Sequence, residues 1–172
     1  HMIEKHDLQH LDVKPKNLML TAEGRLLLVD FGLAKDPETT AVTVKGELIG
    51  TARYLAPEVL AGHSAEAAAD VYDLGLVAHE LLTGKPAFHA ETMARLLVKI
   101  ARGDRQPLNA AGLPAWFTEL LAQTLALDPK ARPSAAQVCD ALRQHAPEGS
   151  RVMGGAPQVA APEPRDAPRN TP

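Results

Sequence analysis

Four stretches of apolar residues at helical spacing fill the chain from Val71 to His145 and leave room for little sheet. Val71, Leu74, Val77, Ala78, Leu81 and Leu82 form the first stripe, which Gly84 and Pro86 end. Met93, Leu96, Leu97 and Ile100 form a second that stops near Gly103. Trp116, Phe117, Leu120, Leu121, Thr124 and Leu125 form a third, closed by Asp128-Pro129. The fourth runs from Ser134 to His145. There Ser134 and Gln137 have the spacing at which a hydroxyl and an amide satisfy first-turn backbone groups reciprocally. Strands are expected only at Leu18-Met19-Leu20 and Leu26-Leu27-Leu28-Val29, a hairpin around Thr21-Ala22-Glu23-Gly24. The expected class is α+β, mainly helical, with its short strands near the N-terminal end.

A chain of 172 residues with 45% hydrophobic and 23% charged residues suits one globular domain. Aromatics make up only 3%, so the core must be built from Leu, Val and Ala. The net charge of −3 gives no electrostatic reason to expect nucleic acid or an anionic membrane as partner. Cys139 is the only cysteine; it excludes an internal disulfide and fits a reducing, cytoplasmic compartment. No apolar run approaches the roughly 20 residues of a membrane span. The longest, Val71 to Leu82, is interrupted by Asp73, His79 and Glu80. Residues 1–145 are expected to hold the domain. Residues 146–172, rich in Pro, Ala and Gly, are expected to form a disordered tail. Ile3 to Asn17 reads as a helix end running into a loop, and Leu33 to Ile49, polar and Thr-rich, reads as a long loop.

The chemistry is concentrated in His10-Leu11-Asp12-Val13-Lys14-Pro15-Lys16-Asn17 and, shortly after, Asp30-Phe31-Gly32. One short turn carries a carboxylate, an ammonium and a carboxamide, and a second carboxylate follows. Phosphoryl transfer from Mg-ATP to a hydroxyl asks for such groups: one to orient the nucleophile, a cation near the phosphate and oxygen ligands for magnesium.

Over roughly residues 3 to 145 the chain resembles the C-terminal lobe of a eukaryotic-type serine/threonine protein kinase, of bacterial kind. The residues that carry the resemblance are His10-x-Asp12-x-x-x-x-Asn17, Asp30-Phe31-Gly32 and Ala56-Pro57-Glu58. Gly50-Thr51-x-x-Tyr54, Asp70-Val71-Tyr72-x-Leu74-Gly75 and Arg132 after Asp128-Pro129 add to it. The resemblance implies a kinase-like fold without its N-terminal lobe, using ATP and Mg2+ on protein substrates with Ser or Thr acceptors. Asp12 would accept or orient the hydroxyl proton, Lys14 would neutralise charge on the phosphate, and Thr51 would help position the acceptor. Asn17 and Asp30 would bind magnesium. His10, Phe31, Gly32, Glu58, Asp70 and Arg132 would be structural: His10 under the magnesium turn, Glu58 and Arg132 as a buried ion pair. Asp70 either caps its helix, holds the backbone of the catalytic turn, or does both.

Some residues depart from the family pattern. Leu11 stands where many kinases carry the arginine that grips an activation-loop phosphate. Weak dependence on phosphorylation is therefore expected, with Thr43, Thr40 and Thr39 as candidate sites. Lys16 replaces a common acidic residue and should repel basic residues upstream of the acceptor. None of the twelve glycines forms a G-x-G-x-x-G, and no strand lysine with a helix glutamate partner precedes the catalytic turn. A polypeptide of these residues alone is expected to show little activity, and an apolar groove along Val71–Leu82 is expected to lie uncovered. Two other readings stay open: a non-catalytic lobe that binds kinase substrates or regulators, and complementation by an N-terminal lobe on another chain. A membrane anchor outside the chain also stays open.

Overall fold

The computed structural model describes residues 9–30, 47–64, 66–108 and 112–145. Phe31, Gly32, Thr39, Thr40 and Thr43 lie outside these residues. So do residues 3–8 of the Ile3 to Asn17 segment expected as a helix end running into a loop, and the tail at 146–172.

A single 3-10 turn, Pro15–Asn17, feeds directly into strand β1 (Leu18–Leu20), which pairs antiparallel with β2 (Leu26–Leu28). Leu18 faces Leu28 and Leu20 faces Leu26. The connecting turn closes through Thr21 N–H to the Arg25 carbonyl at 2.8 Å and Gly24 N–H to the Thr21 carbonyl at 3.0 Å. Gly24 sits at φ 78°, a left-handed conformation that glycine adopts without steric cost.

Helices make up the rest of the regular structure: α1 (Glu47–Ala52), α2 (Pro57–Leu60), α3 (Ala67–Thr83), α4 (Met93–Arg102), α5 (Ala115–Thr124) and α6 (Ala135–His145). The expected long loop thus ends before Ile49, because helix starts at Glu47. At this level the structure is mainly helical with one small sheet, as the residue patterns suggested. Among the described residues no helix is long and apolar enough to cross a membrane.

Helix α3 is the centre, packed against α5, α6 and the 3-10 turn at Pro129–Ala131. Tyr72 and Leu76 from α3 meet Phe88, Leu96, Ile100, Leu121 and Leu125 in one buried cluster. Helix α5 comes so close that a Cβ on Gly75 would lie 2.7 Å from Thr124 Oγ1 and 3.0 Å from a Leu125 methyl. Glycine there sets the approach of the two helices. His79, 1% exposed, reaches the Gln106 carbonyl at 2.9 Å through Nε2 and pins that segment to α3.

Capping follows local rules. Thr92 accepts from Arg95 N–H at the start of α4, and Gly103 ends that helix at φ 68°. At α6 Ser134 N–H donates to Gln137 Oε1 at 2.8 Å and Gln137 N–H donates to Ser134 Oγ at 3.2 Å. The reciprocal pair read from the sequence is present. Trp116 stacks on the His145 ring at 4.2 Å and ties the start of α5 to the end of α6.

The stripe assigned to α3 needs correction. Leu74, Leu81 and Leu82 are 40%, 75% and 42% exposed, whereas Tyr72, Asp73, Leu76, Val77 and His79 are buried. The helix carries apolar residues on two faces, and packing over Gly75 against α5 selects the one that turns inward. Leu74, Leu81 and Leu82 therefore form an apolar strip open to water, where an uncovered groove was expected.

Candidate active site

The turn from His10 to Asn17 is held from below by α3. The Asp70 carboxylate accepts the His10 N–H at Oδ2 and the Leu11 N–H at Oδ1, both at 2.8 Å, across about 60 residues of sequence. Asp70 lies in the first turn of α3, where the positive end of the helix dipole favours a carboxylate. The residue at the N-cap is Glu66, with no side-chain cap bond, so Asp70 is not the cap. Leu11 adopts φ 57°, unusual for a residue with a side chain, and its amide is one of the two that Asp70 fixes.

Asp12 points between two donors. Lys14 Nζ lies 2.9 Å from both carboxylate oxygens, and Asn17 Nδ2 donates to Asp12 Oδ2 at 3.0 Å and to the Asp12 carbonyl at 2.8 Å. The Asp12 and Lys14 side chains keep 17% exposure each, so the pair is sheltered yet reachable. Asn17 is 4% exposed, and its carboxamide oxygen accepts no hydrogen bond among the described residues.

Asn17 also links the turn to the ribbon, because Val29 N–H donates to its carbonyl at 2.8 Å. That bond places Asp30 at the ribbon's exit. Asp30 is exposed, sits at φ 52°, and its carboxylate has no partner among the described residues. Carboxamide and carboxylate oxygens left open in this way suit a hard cation such as Mg2+.

Two other sequence-derived residues meet across 74 positions. Arg132 donates to Glu58 through Nη1 at 2.6 Å and Nη2 at 2.8 Å, in the paired geometry of guanidinium and carboxylate. Its remaining donors reach the carbonyls of Ala126, Ala68 and Leu127, and its guanidinium lies 4.6 Å from the Tyr72 ring centre. The Arg132 side chain is wholly buried. Burial pushes the Tyr72 hydroxyl up to about 12, with Arg132 pulling the other way.

Thr51 is half-buried in α1 and its carbonyl accepts from Tyr54 N–H. Among the described residues its side chain makes no hydrogen bond to Asp12 or Lys14. His10 is 3% exposed.

Sequence reasoning missed the partner of Tyr54 and the burial of Asp73 and His79. Tyr54 donates its hydroxyl to Glu80 at 2.5 Å, and burial followed by that carboxylate raises its pKa. Asp73 and His79 are almost fully buried, although both looked like polar breaks in an apolar run. The usable signal was spacing: Asp73 follows Asp70 by three residues and so shares its helix face.

Residues 1–142 match the family described as "Protein kinase domain". Serine/threonine-protein kinase PknA of Mycobacterium tuberculosis is 39% identical over 125 residues, which is 73% of this chain and 29% of that protein. Serine/threonine-protein kinase PknB of Mycobacterium leprae is 36% identical over 152 residues, covering 84% of this chain and 24% of PknB. Protein kinase 2 of Dictyostelium discoideum is 41% identical over 102 residues, 59% of this chain and 21% of its own length. The chain belongs to the protein kinase family. It spans less than a third of the curated relatives it matches.

Proposed function

We propose that the chain is the C-terminal catalytic lobe of a serine/threonine protein kinase, whose reaction moves the γ-phosphoryl group of ATP to a Ser or Thr hydroxyl. The observation that carries this reading is the Asp12 carboxylate, clamped by Lys14 and Asn17 on a turn that Asp70 anchors. Asp12 orients the acceptor hydroxyl and takes its proton as the oxygen becomes a nucleophile. Lys14, already 2.9 Å from Asp12, stands beside the charge that develops on the phosphate. Asn17 and Asp30 would hold magnesium through the oxygens left open. Mg-ATP, when bound, supplies the phosphoryl group and the divalent charge that offsets its oxygens.

Thr51 helps to seat the acceptor once substrate is present, and Thr39, Thr40 and Thr43 are the phosphorylation candidates. With Leu11 in place of an arginine, replacing all three threonines by alanine in the natural full-length protein should cost less than about tenfold in activity. Lys16 is exposed, and it disfavours arginine or lysine just upstream of the acceptor. A polypeptide of these 172 residues alone has half of a nucleotide site and should bind Mg-ATP weakly; low-micromolar affinity by calorimetry would contradict that.

The decisive test is Asp12→Asn in the full-length protein with a Ser/Thr peptide substrate. The turnover number should fall about 100-fold to 10,000-fold while the KM for ATP changes little. Activity within tenfold of the parent would remove Asp12 from the reaction and the proposal with it.

A further inference from the structure

Asp73 is 2% exposed, on the same face of α3 as Asp70, and its Oδ1 has no hydrogen-bond partner among the described residues. The charged groups that act on its carboxyl through space are Asp70 on its own helix, Glu58 of α2, Arg132 after the 3-10 turn, and Asp12 of the His10–Asn17 turn. Three of these four are acidic. Arg132 is committed to both oxygens of Glu58 and to three backbone carbonyls, and Lys14 is committed to Asp12. Among the described residues, no cation in this cluster is left for Asp73.

With Asp73 neutral, Asp70 and Glu58 against Arg132 already leave one uncompensated negative charge in the buried cluster. An ionised Asp73 would double it, one helical turn from the carboxylate that holds the His10 and Leu11 amides. Burial, then Asp70 and Glu58, push the Asp73 carboxyl well above the usual carboxylate range.

We propose that Asp73 is a proton-controlled positioning residue: uncharged, it lets Asp70 hold the catalytic turn, and on losing its proton it sets a second negative charge beside Asp70 and loosens the turn. This assignment rests on the packing of α3 against the turn and not on the kinase reaction. It can therefore fail or stand independently of the proposed activity.

The linkage has a definite sign. The folded chain keeps a proton that the unfolded chain releases near the ordinary value of 3.8. The contribution to stability is complete below that pH and is lost as pH rises through the folded value. Within the window, each pH unit should raise the unfolding equilibrium constant about tenfold for this one proton.

The test compares the 172-residue chain with its Asp73→Asn variant, which keeps the shape and cannot ionise. Urea unfolding between about pH 4 and pH 8 should show the declining slope in the parent and lose about one proton's worth of slope in the variant. Amide hydrogen exchange, corrected for intrinsic base catalysis, should show protection of the His10 and Leu11 amides falling with pH in the parent. Amides in the middle of α4 should keep theirs. If Asp73→Asn does not fold, Asp73→Ser and a carbon-13 titration of the Asp73 carboxyl in the parent carry the test. An Asp73 carboxyl that titrates at or below the ordinary value overturns the proposal. So do parallel pH slopes, or protection that falls equally at His10, Leu11 and α4.

Discussion

On the helical side of the His10–Asn17 turn, charged groups find their partners inside the chain and far away in sequence. Asp70 holds amides about 60 residues upstream, and Glu58 meets Arg132 across 74 residues. On the ribbon side the reverse holds. Met19, Leu20 and Leu26 are 56%, 73% and 61% exposed, and Asp30 has no partner among the described residues. A two-stranded ribbon of this length is marginal in water by itself, and here the bond from Val29 N–H to the Asn17 carbonyl ties it to the turn. The proposed site therefore joins a base on a fixed turn to a magnesium ligand on a lightly held ribbon. Asn17 belongs to both sides: its side chain serves Asp12, and its backbone carries the ribbon.

The sharpest way to break this contrast is Arg132→Ala. It would strand the Glu58 carboxylate and three carbonyls inside the protein, and chemical denaturation should show a loss of about 3–5 kcal/mol. Arg132→Lys should recover little, because an ammonium cannot form the paired contact with Glu58. A loss below about 1 kcal/mol for Arg132→Ala would mean that the helical side is no better held than the ribbon. Next in size is Gly75→Ala. The new methyl would meet Thr124 Oγ1 and Leu125 at the closest approach of α3 and α5. Overpacking of this kind costs about 1–3 kcal/mol, against which Ala's better helix propensity returns up to about 1 kcal/mol. Adding Thr124→Ala should relieve part of the strain, and a double-mutant cycle by urea denaturation measures how much.

What the sequence made legible follows the same division. Asp12, Lys14 and Asn17 lie within six positions, so one short turn had to bring them together, and it does. The Ser134–Gln137 pair and the hairpin were readable for the same reason: local spacing decides them. Glu58 and Arg132 could not be paired from spacing; only the kinase resemblance connected them. Helix α3 shows the opposite failure. Its apolar residues satisfy helical periodicity on two faces, and periodicity cannot tell which face meets α5. That is why Leu74 and Leu81 were read into one stripe with Val71 and Val77, while Asp73 and His79 read as interruptions of an apolar run.

Smaller effects probe the local rules. Ser134→Ala should cost about 1 kcal/mol, because the Gln137 amide loses its acceptor and the reciprocal bond from Ser134 N–H loses its anchor. A cost near zero in denaturation would show that α6 is held by its packing against α3 and not by its cap.

The smallest expected change is also the most telling about the ribbon and the outer face of α3. Leu20→Thr and Leu81→Lys replace side chains that are 73% and 75% exposed, so each should alter stability by no more than about 0.5 kcal/mol. Both should reduce self-association in sedimentation measurements, because they interrupt apolar surface that the described chain leaves in water. Threonine suits a strand as well as leucine does, so the ribbon ladder should survive the first change. Should either substitution cost 2 kcal/mol or more, that side chain must be packed in solution. The ribbon side would then be as firmly held as the helical side, and Asp30 would be presented from a fixed position like Asp12.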